Sequence, residues 1–465
     1  VSLTLQPVQE AIVNRRRLLA LVGATPTPLL TGCLGDGQNA EETSSQDSGE
    51  EPQSEDDWEQ RADAAIQDIR TTDLSVSVED TTGAPVSDAL VDITMQGHEF
   101  CFGTAVNAVE LTDRSEEGDP YRTQLRDLFN TAVLENYHKW HNWESETKRA
   151  VANSTTEWLL ENDIDVRGHN VLWQRLDIKT LPDDVVAKLE SDDPDRADYL
   201  TERTTGHTWD IVKEHAGEIT EWEILNEHVH NHIITEAITP DEPPQQSPQV
   251  ADWFWTAEAA APETEFYINE YNLITGEFED HRKKMEALVQ YLQNRGAPID
   301  GLGMQGHFNT RSEAISPERL RELFDRFGSL DVELKITEYD TYGEGWTEAN
   351  EAEHLNIVLR TAFSHPAVVG FLMWGFWDGS HWQDNAPLFR TDWSKKPAYD
   401  VYTDLVFDEW WTDESGTTDE DGQYETQVFH GDHEITVTSD DSSQTVRATI
   451  VDPDSEQLTI RVDGG

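Results

Sequence analysis

A (β/α)8 barrel with a small β-sandwich beside it is the fold class this sequence predicts. Three observations predict it. From residue 100 onward, short apolar runs alternate with helix-length amphipathic stretches, the pattern of a parallel sheet. The strand candidates number eight, spread over roughly 310 residues, which suits one closed barrel. Nearly every candidate strand runs into acidic, amide, histidine or tryptophan side chains, and in a parallel barrel all those ends share one rim.

The strand candidates are residues 100–106, 130–134, 165–172, 220–225, 265–269, 299–305, 332–337 and 369–374. Helical patterns at 182–189, 197–215, 281–295, 317–327 and 352–364 lie between them. An open doubly wound sheet is the alternative, but no glycine-rich phosphate loop follows the first strand.

The strand ends carry the chemistry. Strand two leads into Glu135, Asn136 and Lys139, and strand three holds His169 and leads to Trp173. Strand four ends in Asn226-Glu227, strand six in Gln305 and His307, strand seven in Glu338 and strand eight in Trp374, with Trp382 soon after. Two carboxylates on one rim suit glycosidic cleavage, in which one protonates the leaving oxygen and the other attacks the anomeric carbon or activates water. The acid needs a raised pKa and the other group must stay ionised. Tryptophans there offer flat faces to sugar rings, and amides and lysine can read hydroxyls. Taken singly, each residue has an ordinary reading. A lone glutamate in so acidic a chain is a surface acid, His307 a satisfied core histidine and Trp374 a core residue. Their joint placement carries the weight. His228, His230 and His232 alternate, but they lack the further ligands of a closed zinc site, so no metal or cofactor is expected.

These motifs together resemble glycoside hydrolase family 10, the endo-β-1,4-xylanases, across nearly the whole barrel. Phe102-Gly103-Thr104-Ala105-Val106 is similar to the family's first strand, and Glu135-Asn136 with Lys139-Trp140 to its second-strand motif. Arg167-Gly168-His169-Asn170-Val171-Leu172-Trp173 resembles the third strand, and Trp222-Glu223-Ile224-Leu225-Asn226-Glu227 the acid/base motif. Tyr267-Ile268-Asn269-Glu270-Tyr271-Asn272 resembles the fifth strand. Residues 299–307, ending in Gln305 and His307, resemble the sixth, and Ile336-Thr337-Glu338-Tyr339-Asp340 the nucleophile motif.

The resemblance implies a retaining double displacement with Glu227 as acid/base and Glu338 as nucleophile. It further implies that Glu135, Asn136 and Lys139 hold the sugar on the non-reducing side of the cut, and that His169 and Trp173 line the site. Asn226 is implied to contact the 2-hydroxyl of the reacting sugar and His307 to bond the nucleophile, while Trp374 and Trp382 close the cleft. Gln174 departs from the histidine common after the third-strand tryptophan. The loop 377–382 looks closer to the plant-like branch. Xylan or a related β-1,4-glycan is the expected substrate. A β-1,4-glucanase or β-xylosidase on the same barrel, and a lipid-anchored sugar-binding protein, are the alternatives.

Composition narrows the setting. The chain has 93 acidic against 33 basic residues, a net charge of -60. Such a surface repels nucleic acid. At ~1 M salt the Debye length falls to ~3 Å and self-repulsion is screened, so an extreme halophile is the expected source. A monomer is expected. The two cysteines, Cys33 and Cys101, imply no disulfide framework.

Residues 1–33 read as a twin-arginine signal of lipoprotein type. Arg15, Arg16 and Arg17 precede an apolar stretch that ends in Leu30-Thr31-Gly32-Cys33, with Cys33 as the lipid attachment site. The stretch is too short and too broken by proline to span a bilayer. Residues 34–57 read as a disordered acidic tether. Together they place the expected protein outside the cell, touching the membrane only through a lipid. Residues 58–98 read as a helix and a β-hairpin, 99–412 as the barrel and 413–465 as further strands. The outer segments are expected to complete one immunoglobulin-like sandwich into which the barrel is inserted.

Overall fold

The computed structural model describes residues 55–439, 442–451 and 456–462. The expected signal with Cys33, and residues 34–54 of the expected tether, lie outside the described residues. The tether's last three residues instead open a helix, Glu55–Arg70. Ala62 and Ile66 on one face of it are buried, and this i, i+4 spacing gives the helix an apolar stripe. Its last residue locks it to the barrel: Arg70 donates from Nε to the Phe363 carbonyl at 2.9 Å and from Nη2 to the His365 carbonyl at 2.9 Å.

The barrel is built from Cys101–Val106, Thr131–Leu134, Asp165–Gly168, Glu221–Asn226, Glu265–Glu270, Gly301–Met304, Glu333–Thr341 and Val368–Met373. Each pairs in parallel with the next, and the eighth closes on the first through Gly370 opposite Cys101 and Phe371 opposite Phe102. Helices follow most strands and form the outer layer, as the alternating pattern predicts.

The third, sixth and seventh strands differ from their expected extents, and the differences shape the rim. The third ends at Gly168 instead of running to 172. A Cβ on Gly168 would fall 2.1 Å from the Trp222 ring, so the absent side chain lets the indole pack against the backbone just below His169. The sixth strand breaks at Gln305-Gly306 and resumes as His307–Phe308, which pairs with Asp340 and Thr341. The seventh strand is therefore long enough to carry both Glu338 and Asp340 onto the rim.

The barrel interior is charged where aliphatic layers are usual. Arg167 donates to Glu223 Oε1 at 2.9 Å from Nε and to Glu221 Oε1 at 2.9 Å from Nη1, and Lys335 also bonds Glu221. The Arg167 guanidinium lies 4.6 Å from the centre of the Tyr267 ring. Glu221 and Glu223 are two apart on their strand and point the same way, and Arg167 and His169 both meet Glu223. Buried charges of this kind persist only when each is paired, and this pairing orients the site above.

The sandwich draws strands from both ends of the described chain. One sheet has the order Gln423–Phe429, Thr71–Glu79, Glu456–Arg461; the other has Asp413–Thr417, Leu90–His98, Gly431–Thr438, Ser443–Ile450. Leu74, Val76, Val91, Ile93, Ile435 and Val437 fill the space between them. The expected hairpin is corrected here: Thr71–Glu79 and Leu90–His98 lie in opposite sheets. Each presents alternate apolar residues to a shared core and pairs with C-terminal strands, which offer longer registers than a local turn does.

Candidate active site

The site begins with backbone. Glu227 follows the last residue of the fourth strand and takes a left-handed conformation, φ +56°. Its N–H donates to the Asn269 carbonyl at 2.8 Å, and Asn231 closes a turn onto the Glu227 carbonyl at 2.9 Å. A non-glycine residue holds this conformation only where its surroundings enforce it. The result turns the Glu227 carboxyl inward, where the residue is 8% exposed.

Three donors converge on that carboxyl. Trp173 Nε1 donates to Oε2 at 3.0 Å, Asn231 Nδ2 to Oε2 at 2.9 Å, and Gln305 Nε2 to Oε1 at 3.3 Å. Glu338, 4% exposed on the seventh strand, accepts from Asn269 Nδ2 at 2.6 Å. Asn269 Nδ2 also donates to Asn226 Oδ1 at 3.0 Å, which receives Gln305 Nε2 at 3.3 Å. The two carboxyls thus belong to one hydrogen-bonded chain through Gln305, Asn226 and Asn269.

Their electrostatics diverge. Burial, then the fields of Glu338 and Glu270, push the Glu227 carboxyl up to about 7. Burial also opposes ionisation of Glu338, but the His307 hydrogen bond and the positive fields of His169, His307 and Lys139 outweigh it and hold Glu338 below its ordinary value. One carboxyl is set to hold a proton and its neighbour to lack one.

His307 explains the second half of that contrast. Its Nε2 lies 3.0 Å from Glu338 Oε2 and its Nδ1 2.7 Å from Asp340 Oδ1. With a carboxylate oxygen at each nitrogen, both must donate, so the ring is an imidazolium. Burial alone would lower its pKa; the Asp340 charge and hydrogen bond reverse this and raise it to about 10. Asp340 is held at about 2, because His307 and His381 outweigh its burial.

The aromatic residues complete the walls. Trp374, mostly buried, sets its ring 5.1 Å from His169 and 6.1 Å from His307, edge on to both. Trp382 donates from Nε1 to Asp340 Oδ2 at 2.7 Å yet is 47% exposed, so a fixed indole face looks outward. His169 Nδ1 lies 2.7 Å from Glu223 Oε2. The Lys139 ammonium lies 5.1 Å from the centre of the Trp173 ring and donates to Asn136 Oδ1 at 3.1 Å. Asn136 and Glu135 open onto a hollow beside Asn107 and Tyr137 at the end of the first strand.

The structure thus gathers Lys139, His169, Trp173, Asn226, Glu227, Gln305, His307, Glu338, Trp374 and Trp382 around one centre, with Glu135 and Asn136 beside it. Sequence reasoning did not single out Asp340, Asn269, Glu223 or Asn231 as site residues. For Asp340 a signal existed, since it stands two residues past Glu338 on the same strand; Glu223 had none of that kind, because it meets His169 from the neighbouring strand. Asn231 had none, because its role depends on the turn after Glu227.

Gln174 proves to face away from the open cleft. Its Oε1 accepts the N–H groups of Ile234 and Thr235, each at 3.0 Å, so it satisfies the free donors that open the helix Ile233–Ile238. His228 bonds the Pro244 carbonyl, His230 the Tyr271 hydroxyl, and His232 lies near Glu236.

Comparison with known proteins agrees with this fold. A model of glycosyl hydrolase family 10 matches residues 92–405. The anti-sigma-I factor RsgI6 of Acetivibrio thermocellus is 28% identical over 386 residues, covering 82% of this chain and 47% of that protein. Endo-1,4-beta-xylanase 1 of Arabidopsis thaliana is 24% identical over 399 residues, covering 85% and 39%. The chain therefore spans less than half the length of these two relatives. The crystal structure of xylanase 10B from Thermotoga petrophila RKU-1 in complex with xylobiose superposes with a TM-score of 0.57 at 21% identity, covering 67% of this chain and 95% of that one.

Proposed function

This chain belongs to glycosyl hydrolase family 10, and from that premise we propose that it is an endo-acting, retaining β-1,4-xylanase with Glu227 as acid/base and Glu338 as nucleophile. The observation that carries the reading is the pair of buried carboxyls pushed apart in pKa within one hydrogen-bonded chain.

The reaction runs in two steps. Glu338 attacks the anomeric carbon while Glu227 gives its proton to the leaving oxygen, and a glycosyl-enzyme ester forms. Glu227, now ionised, takes a proton from water; the hydroxide attacks the same carbon and Glu338 leaves. The imidazolium of His307 keeps Glu338 charged before attack and supports it as it departs. Asn226 reaches the 2-hydroxyl of the reacting sugar. Glu135, Asn136 and Lys139 hold the sugar on the non-reducing side. Trp374 and Trp382 supply flat apolar faces, and His169 and Trp173 the remaining wall.

Purified xylan incubated in high salt is expected to yield a ladder of short xylo-oligosaccharides. Release of xylose alone from chain ends would assign a β-xylosidase, and preference for carboxymethylcellulose a glucanase. The Acetivibrio relative is named as an anti-sigma-I factor, and the second reading is a lipid-anchored sugar-binding protein. Binding of xylan without any product would favour it.

The same proposal takes the protein to be a salt-adapted monomer, exported by a twin-arginine signal and lipid-anchored through Cys33 on the outer face of the membrane. The net charge of -60 supports the first part, and the arginine, apolar and cysteine segments support the second. The Arabidopsis relatives and the loop 377–382 support placement nearer the plant-like branch. Dialysis from molar salt into dilute buffer is expected to abolish most of the far-UV ellipticity as unscreened carboxylates repel. An unchanged spectrum would refute salt adaptation.

A further inference from the structure

A buried glutamate outside the proposed catalytic pair stands behind the acid/base turn. Glu270 ends the fifth strand and is 0% exposed. Its Oε2 accepts the N–H of Val229 at 3.0 Å, and its Oε1 accepts the N–H of Tyr271 at 3.3 Å. On the far side, His281 of the helix Glu279–Arg295 brings Nε2 to 3.1 Å from Oε1. The His281 ring lies in turn tilted against His230, at 4.7 Å, and Tyr271, at 5.0 Å. Tyr271 and His230 share a 2.6 Å contact between hydroxyl and Nδ1.

Val229 lies two residues past Glu227, inside the turn that starts at the left-handed residue and is closed by Asn231. Glu270 is therefore a clamp on that turn from the fifth strand, and His281 backs the clamp from the helix behind. The Val229 N–H it binds has no helix or sheet partner of its own, so losing the carboxyl leaves that N–H unpaired and loosens the middle of the turn. Asn231 donates to the Glu227 carboxyl from the far end of the same turn, so movement of the turn would shift both Glu227 and a donor that aims it.

We propose that Glu270 is a positioning residue for the acid/base: it fixes the 227–231 turn so that the Glu227 carboxyl stands where the leaving oxygen needs a proton. This rests on the reading of Glu227 as acid/base. It makes no contact with substrate a requirement, and it separates Glu270 from a residue that merely fills space.

Leaving-group dependence tests it. Xylo-oligosaccharides need protonation of a poor leaving group, whereas a 2,4-dinitrophenyl xylobioside does not. Glu270→Leu removes the acceptor and keeps the volume. It is expected to lower kcat/KM on xylohexaose by about 10²-fold, the scale of loss when a catalytic group is misplaced by ~1 Å, and to change the rate of glycosyl-enzyme formation from the dinitrophenyl substrate by less than about 3-fold. Glu270→Gln keeps one acceptor oxygen for Val229 and should recover most of the loss. Equal losses on both substrates, or no loss on either, would overturn the proposal. Should Glu270→Leu not fold, Glu270→Asp, shorter by one methylene, must show the same split in smaller measure, and its absence counts equally against the idea. Glu227→Ala run alongside keeps the two readings apart: if that variant shows no split, the acid/base assignment fails; if it does and the Glu270 variants do not, the positioning role fails.

Discussion

Glu338→Gln is expected to reduce release of reducing ends from xylan at high salt by at least about 10⁴-fold, the order seen when a covalent nucleophile is removed. The amide matches the carboxylate in shape, so Asn269 still has an oxygen to donate to, and the fold should be unaffected. What disappears is the negative charge that attacks carbon and faces the His307 imidazolium. The same variant should also fail to accumulate the covalent adduct that the native protein is expected to form with a 2-fluoro xyloside. Retention of more than a few per cent of activity, or an adduct on another residue, would break the nucleophile assignment.

Glu227→Ala should lower turnover of xylan by about 10³-fold, within the usual range for a general acid, and remove one limb of the pH profile. The sign follows from which state is active. Glu227 must carry a proton at the start, and its pKa is pushed up to about 7 by burial and by Glu338 and Glu270. Native activity should therefore fall as pH rises through about 7. Glu338 must begin ionised, and it is held below its ordinary value, so the acid limb should lie below the usual glutamate range. In Glu227→Ala the alkaline limb should vanish, and added azide should restore turnover of activated aryl xylosides, because a small anion can occupy the space left by the carboxyl. A native profile flat across pH 5 to 9 would remove the acid role.

His307 governs the acid limb. Being an imidazolium between Glu338 and Asp340, it stays charged across the working range, so the acid limb belongs to a coupled group and not to Glu338 in isolation. The buried row of Arg167, Glu221, Glu223 and His169 extends this pattern downward: Arg167 pairs with both carboxylates, and His169, hydrogen-bonded to Glu223, reaches the site. The site is thus held from below by ion pairs and from behind by Glu270.

Much of this was legible in the residues themselves. Strand number and order, the eighth-to-first closure implied by them, and the polar rim all followed from short apolar runs alternating with helical stretches, because such patterns are local. Glu227, Glu338 and most residues around them were readable for the same reason, since each marks the end of an apolar run. The split of Thr71–Glu79 and Leu90–His98 between two sheets was not readable, because pairing depends on which distant strands arrive beside them. Nor was the turning of Gln174 to cap a helix, which depends on where the segment after Glu227 folds back.

The sequence by itself determined the architecture and the kinds of side chain on the rim. Only the tertiary structure decided their states: which carboxyl holds a proton, that His307 is charged, and that Glu270 backs the acid/base turn. Burial depth and the neighbours brought in from remote strands set those states, and neither is written in any local stretch of chain.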